Sequence, residues 1–304
     1  AQVLKYHNWP PTGHDSMNYS YNGVINWPYG LIGANFGNTA YQWQNMPDAI
    51  SEPNMDLARL VFHAGISVKS MYGYPSGQTG AYAGSIIDGL VRCFNYAYSD
   101  LTFQMRYYGY SSIAWDSLIR SELLSQRPVV YSGSGINNSG HAFVCDGVNA
   151  LDYFHFNFGW GGSYNGYYML LDISPGSYNF NFLDGVIIGI KPNDGSTILD
   201  DQTWSGVVHL NRKTILLDHS TLTLLPGTTV ISSFGSSLQI SGILNANGVA
   251  GDSIRFTAAD PQLRWDGLTV EQGNWDETDS TTMDYSVVEL SRYGGLKLNN
   301  LKKF

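Results

Sequence analysis

Two hydrophobic periods follow one another along the chain. Residues 52–64, EPNMDLARLVFHA, set Met55, Leu60, Val61 and Ala64 on one helical face, with Gly65 placed to end the helix. A second helix is predicted over 80–94, where Ile86, Ile87, Leu90, Val91 and Phe94 share a stripe. A third is predicted over 112–126, capped by Ser112 and closed before Pro128. Residues 1–8 read as the tail of a helix stopped by Trp9-Pro10-Pro11, because proline lacks the amide and clashes with the preceding turn. Beyond Pro128 the period changes. PVVYSGSG, HAFVCDGV, YFHFNFGW, GYYMLLDI and DGVIIGIKP are short aromatic and β-branched runs broken by Gly, Asn, Ser and Pro, which predicts successive antiparallel strands. Helices first and sheet second predict an α+β domain over residues 1–192.

A polar Gly/Ser/Asp stretch at 193–200 reads as a linker. From 201 to 304 a repeat takes over. Val208-x-Leu210, Leu222-x-Leu224, Leu238-x-Ile240, Ile254-x-Phe256, Leu268-x-Val270 and Val288-x-Leu290 each supply two same-face apolar residues. Stacked coils of this kind bury a continuous core that one coil could not, so the region is predicted to be a parallel β-solenoid or, failing that, a β-sandwich. Both ends look cut, since the first residues start inside a helical pattern without a capping residue and the last stop after a strand-like piece.

Composition narrows the function classes. Hydrophobic residues make up 43% and charged residues 13%, which excludes a disordered chain. The net charge of −9, with scattered Lys and Arg, argues against nucleic acid as a partner. No apolar run is long enough to span a membrane. Abundant Gly, Tyr, Asn and Ser at low charge suit a secreted bacterial protein. The two cysteines, Cys93 in a helical pattern and Cys145 in a strand pattern, are expected to be buried free thiols.

The candidate chemistry lies on two neighbouring strands. Gly140 and His141 open one, and Asn157, Phe158 and Trp160 end the next within FHFNFGWGG. Adjacent strands bring such residues together. In thiol catalysis a histidine takes the thiol proton and a third polar group holds its ring, which Asn157 is suited to do; Trp160 would cover the contact. Taken alone, His141 reads as a histidine satisfying a buried hydrogen bond; the paired motif favours catalysis. Cys145 is four residues from His141 on the same strand, about 13 Å at 3.3 Å per residue, too far for a thiol–imidazole hydrogen bond. Cys93 falls on an apolar helix stripe. His7, His14 and His63 show no metal-ligand spacing, and His155, which alternates with Asn157, is expected to be structural. GYPSGQTG, residues 73–80, reads as a substrate-lining loop and DETDSTTMD as a solvated turn, so no metal or cofactor is expected.

These stretches, in this order, resemble the streptopain-like cysteine peptidases, papain-like enzymes of secreted bacterial origin that include interpain. AQVLKYHNWP, AGISVKSMYGYPSGQTGAY, AWDSLIRSELLSQRPVVYSGSG, GHAFVCDG, YFHFNFGWGGSYNGYYML and GVIIGIKP carry the resemblance over residues 1–192. It implies a papain-like fold, His141 as general base and acid, Asn157 as the orienting residue and Trp160 as the aromatic cover. Phe158 replaces the family's Trp, which keeps an aromatic face and loses an indole donor, and the SGINNSG loop is about one residue longer than in the family. The family's nucleophile stands in Cys-Val-Ala-Thr-Ala-x-Ala-Gln, whose last two residues match Ala1-Gln2, so the cysteine is expected upstream of Ala1.

The implied function is that of a secreted cysteine endopeptidase acting on polypeptide substrates. It would be made with a propeptide and would carry its solenoid for surface display, sorting or substrate binding. Residues 1–304 by themselves would be inactive. The alternative is a non-catalytic, peptidase-like surface protein that binds polypeptide or glycan.

Overall fold

The computed structural model describes residues 1–21, 29–73, 79–135, 140–271 and 280–299. They form two compact units, Ala1–Pro192 and Asn193–Phe304.

In the first unit the helices sit close to the predicted stripes. Helix α1 (Gln2–His7) stops where Asn8 turns left-handed at φ 47°, ahead of the prolines. Helix α2 (Met55–Ser67) is capped by Asn54, whose side chain accepts from the Leu57 amide at 2.8 Å, and buries Leu60, His63 and Ile66. It runs through Gly65, the expected stop; a Cβ there would collide with the Tyr72 hydroxyl, so packing and not termination calls for the glycine. Over 80–94 the structure is shorter and less regular than the stripe suggests: α3 covers Ser85–Asp88 and continues into a wide π-helical turn at Gly89–Cys93. Helix α4 (Ser112–Leu124) is capped by Ser111, one residue before the expected Ser112.

Strands β1 (Ser16–Tyr19) and β2 (Ile32–Asn35) form a small hairpin-like pair. The main sheet uses β3 (Thr102–Met105), β4 (Val129–Ser134), β5 (Gly140–Val148), β6 (Phe154–Asn157), β7 (Gly166–Tyr168) and β8 (Phe182–Ile188). Its order is β3-β8-β4-β5-β6-β7, antiparallel throughout. One face packs on α4 through Trp115, Ile119, Phe143, Cys145, Phe154 and Phe156, all buried. The other face meets the groove described below.

The second unit contains β9 (Thr197–Ile198), β10 (Gln202–Trp204), β11 (Val207–Leu210), β12 (Lys213–Leu216), β13 (Thr221–Leu224), β14 (Thr229–Ser232) and β15 (Ser237–Ile240). These are followed by β16 (Ile243–Asn247), β17 (Ile254–Ala258), β18 (Gly267–Glu271), β19 (Thr282–Asp284), β20 (Ser286–Val288) and β21 (Leu296–Asn299). Each strand pairs in parallel with the one three places on, giving the stacks β10-β13-β16-β19, β11-β14-β17-β20 and β9-β12-β15-β18-β21. This parallel arrangement is solenoid-like and unlike the antiparallel sheets of a sandwich. Leu222, Leu238, Ile240, Leu244, Phe256, Leu268 and Val270 fill its core with no exposed surface. Part of the expected linker is already in the stack: Thr197 and Ile198 pair with Ile215 and Leu216. Its polar residues make a tight turn, with Asn193 accepting from the Thr197 amide and donating to its carbonyl. Among the described residues no helix is long and apolar enough to cross a membrane.

Candidate active site

Strand β5 delivers His141 to the edge of an aromatic cluster. The imidazole stacks on Trp160, ring centroids 4.8 Å apart and planes 18° from parallel, with Phe143 and Phe180 each 5.7 Å away. Trp160 is braced in turn by Phe158, Tyr164 and Tyr178. The turn that aims it needs its glycines: Gly159, Gly161 and Gly162 have φ of 75°, 62° and 88°, a region that side chains disfavour. Across from His141, β4 presents Gly133, where a Cβ would run into the backbone and Cβ of Phe180. That glycine lets Phe180 close under the imidazole. Gly140 has no such constraint, since a Cβ there would meet only the Gly133 carbonyl at 4.0 Å.

The ring's orientation is set by a backbone group. His141 Nε2 lies 2.8 Å from the Phe158 carbonyl oxygen, which can only accept, so Nε2 carries the proton and donates it. In the neutral ring Nδ1 is then left unprotonated, with its lone pair available as a base. Asn157, expected to hold the ring, makes other bonds. Its Oδ1 accepts from Gln2 Nε2 at 2.6 Å and from the Gly159 amide at 3.1 Å. Alternation along β6 explains this: Asn157 projects to the groove face, whereas the carbonyl of the next residue is directed toward His141. Asn157 thereby ties α1 to the turn carrying Phe158 and Trp160. Phe158 is buried, and its amide donates to Asn165 Oδ1 at 3.1 Å.

A cavity of about 1750 Å³ borders these groups, lined by Gln2, His141, Asn157 and Gly159. Its walls include Val130, Ala142 and Val144 from the sheet and Leu57, Val61 and Leu90 from the helical side. Typical small-molecule sites occupy roughly 300–1,000 Å³, so this volume suits a polymer segment better.

Neither thiol is placed as a nucleophile. Cys93 and Cys145 are free and buried. Burial, with a smaller contribution from Asp15, pushes the Cys93 thiol up to about 12. Burial and the neighbouring Asp146 carboxylate raise Cys145 well above the ordinary thiol range. Both stay protonated at neutral pH and are inert. His7 bonds Tyr96, His14 the Arg92 carbonyl, His63 the Tyr41 hydroxyl and His155 the Asp146 carboxylate. Among the described residues no three His, Cys, Asp or Glu side chains gather as a metal site. The 73–80 loop, the tip of SGINNSG and the start of DETDSTTMD fall largely outside the described residues.

Sequence reasoning did not anticipate Gln2, Asn165 or Gly133. Only Gly133 leaves a sequence signal, a glycine inside a strand pattern, which marks close backbone approach.

The Peptidase C10 family matches residues 1–168. Streptopain from Streptococcus pyogenes serotype M28 (strain MGAS6180) is 34% identical over 207 residues, which are 63% of this chain and 50% of that protein. The thiol protease/hemagglutinin PrtT of Porphyromonas gingivalis is 32% identical over 67% of this chain and 24% of its own length. The chain thus spans half, or less, of these relatives. The structure of active wild-type interpain A, a cysteine protease of Prevotella intermedia, superposes with a TM-score of 0.55 at 34% identity, covering 61% of this chain and 78% of that one. A prointerpain A fragment from the same organism gives 0.53 at 34% identity, covering 63% of this chain and 61% of that fragment. With more than half its residues matched by the family, this chain belongs to the peptidase C10 family and resembles streptopain and interpain A.

Proposed function

We propose that the full-length protein is a cysteine endopeptidase of papain-like fold in which His141 is the general base and acid. The observation that carries the reading is the His141 Nε2–H bond to the Phe158 carbonyl, which leaves Nδ1 free to take a thiol proton. The thiol belongs to a cysteine preceding Ala1 on the helix that continues as α1. Two points support this placement: both cysteines at hand are buried and held protonated, and Gln2, at the start of α1, reaches Asn157 beside the base.

The thiolate attacks the carbonyl carbon of the scissile peptide, and the carbonyl electron pair moves to oxygen, held there by backbone amides near the cysteine. Collapse of this adduct expels the amine, which takes its proton from the His141 imidazolium and leaves a thioester. Water, deprotonated by His141, then hydrolyses the thioester and regenerates the thiol. Trp160 lies flat against the imidazole and covers one face of the ring. Asn157 acts as the orienting residue by anchoring the turn that bears the Phe158 carbonyl, and Phe158 itself seals that turn from the core side.

Polypeptides are the substrates, and the cavity's mixed polar and apolar walls suit an extended segment. The likeness to prointerpain A supports synthesis with a propeptide, and the family's bacterial members support a secreted or cell-surface location. Residues 1–304 alone are inactive. The test is cleavage of denatured casein under reducing conditions by the full-length protein. His141→Ala is expected to lower kcat by about 10⁶-fold, the scale of losing a triad histidine. A full-length protein that binds polypeptide without cutting it would instead establish the non-catalytic reading.

A further inference from the structure

Two residues outside the constellation just described bear on its geometry. Between β5 and β6 the pairing runs Val144 with Asn157 and Cys145 with Phe156, then resumes as Gly147 with His155 and Val148 with Phe154. Asp146 is therefore an extra residue, a bulge two positions before the end of β5. Its carboxylate reaches across to His155, Oδ1 to Nδ1 2.5 Å, and the His155 ring stands edge-on to Tyr167 of β7 at 5.2 Å. Gly147 leaves room for this: a Cβ there would press on His155 Cβ at 3.3 Å. Asp146 also lines the groove.

The bulge decides which way β6 faces at the active site. With it, Cys145 and Val148 both face the core, and Asn157 faces the groove. If the register found beyond the bulge extended toward His141, Cys145 would oppose Asn157 and Val144 would oppose Phe158. A one-residue slip turns every side chain to the opposite face and moves the carbonyl acceptor about 3.3 Å from its place at Nε2. Smaller displacements at the bulge move the same carbonyl by less and still loosen the imidazole.

We infer that the Asp146–His155 pair is a positioning device for the base: by clamping the β5 bulge it holds the Phe158 carbonyl against His141 Nε2. The inference rests on the peptidase reading for its kinetic consequence, but not for the geometry itself.

Two measurements test it. In the full-length protein, Asp146→Ala and His155→Leu should each lower kcat on the order of tenfold, the scale of sub-ångström misplacement, while KM stays within about twofold. His155→Gln keeps an N–H for Asp146 and should recover most of the loss. In residues 1–304, ¹⁵N NMR of the His141 ring should show the Nε2–H tautomer in the parent and a tautomer mixture in Asp146→Ala. Wild-type kcat in both disruptive variants, or a lower kcat with an unchanged His141 tautomer, would overturn the inference. Should His155→Leu fail to fold, Asp146→Asn decides by the same readouts. If the unaltered full-length protein cleaves nothing, the peptidase reading has failed, and the NMR result alone then supports or overturns the clamp.

Discussion

At the scale of single residues, the imidazole of His141 depends on groups that differ in how openly the sequence advertises them. His141 and Trp160 sit in short motifs and are legible there; the structure stacks one on the other. The acceptor that fixes the ring is a backbone carbonyl, which every residue has, so no residue type marks it. Gln2 meets Asn157 across 155 positions of chain, a contact that only folding creates. Gly133, marked only as a glycine inside a strand pattern, is the most demanding position. Gly133→Ala places a methyl group 3.0 Å from Phe180 Cβ and closer still to the Phe180 backbone, displacing the ring that supports His141. The expected cost is about 1–3 kcal/mol of stability, read from the urea midpoint at unchanged slope. A variant with wild-type stability would show that Phe180 has room to move.

At the scale of elements, amphipathic spacing locates α2 and α4, and the corrections to it come from local packing. Helix α2 passes through Gly65, a glycine because Tyr72 fills the space a Cβ would need, and the stripe over 80–94 tightens into a helix only from Ser85. The bulge in β5 is equally hidden, since one extra residue in an apolar strand does not break the alternation visibly. Helix α2 also carries a buried titratable group. His63 hydrogen-bonds Tyr41, and burial, helped by the nearby Arg59 charge, lowers its pKa below the usual 6.5. The unfolded chain therefore binds this proton more readily than the folded one. The stability contributed by neutral His63 is complete above about pH 6.5 and is lost as the pH falls toward the depressed folded value. His7, lowered by burial beside Tyr96, acts in the same direction. Urea midpoints measured at pH 8 and pH 5 should fall more steeply in the parent than in His63→Gln; equal slopes would exclude the role given to His63.

At the scale of the whole molecule, the division into an α+β unit and a repeat was readable because the hydrophobic period changes beyond Pro128 and a repeat begins near residue 201. The repeat itself was only half visible. Pairs such as Leu238 with Ile240 announce their strands, whereas Thr214, Ser232 and Ala246 also point inward and mark further strands that an apolar pattern passes over. With these included, each coil contributes three strands. The solenoid core is close-packed around Phe256, which is fully buried, so Phe256→Ala should cost about 3–5 kcal/mol. That loss should appear as a lower unfolding midpoint for the second unit by hydrogen exchange of its strands. A change below 1 kcal/mol would mean that neighbouring coils collapse into the space.

The central claim is that His141 activates a cysteine preceding Ala1, with Cys93 and Cys145 as inert structural thiols. Its most direct test is mass-spectrometric mapping of a thiol-directed peptide inhibitor on the full-length protein and on its His141→Ala variant. The account predicts one rapid adduct, on a cysteine preceding Ala1, whose formation slows sharply in the variant. Labelling of Cys93 or Cys145, or an upstream adduct that forms equally fast without His141, would contradict it.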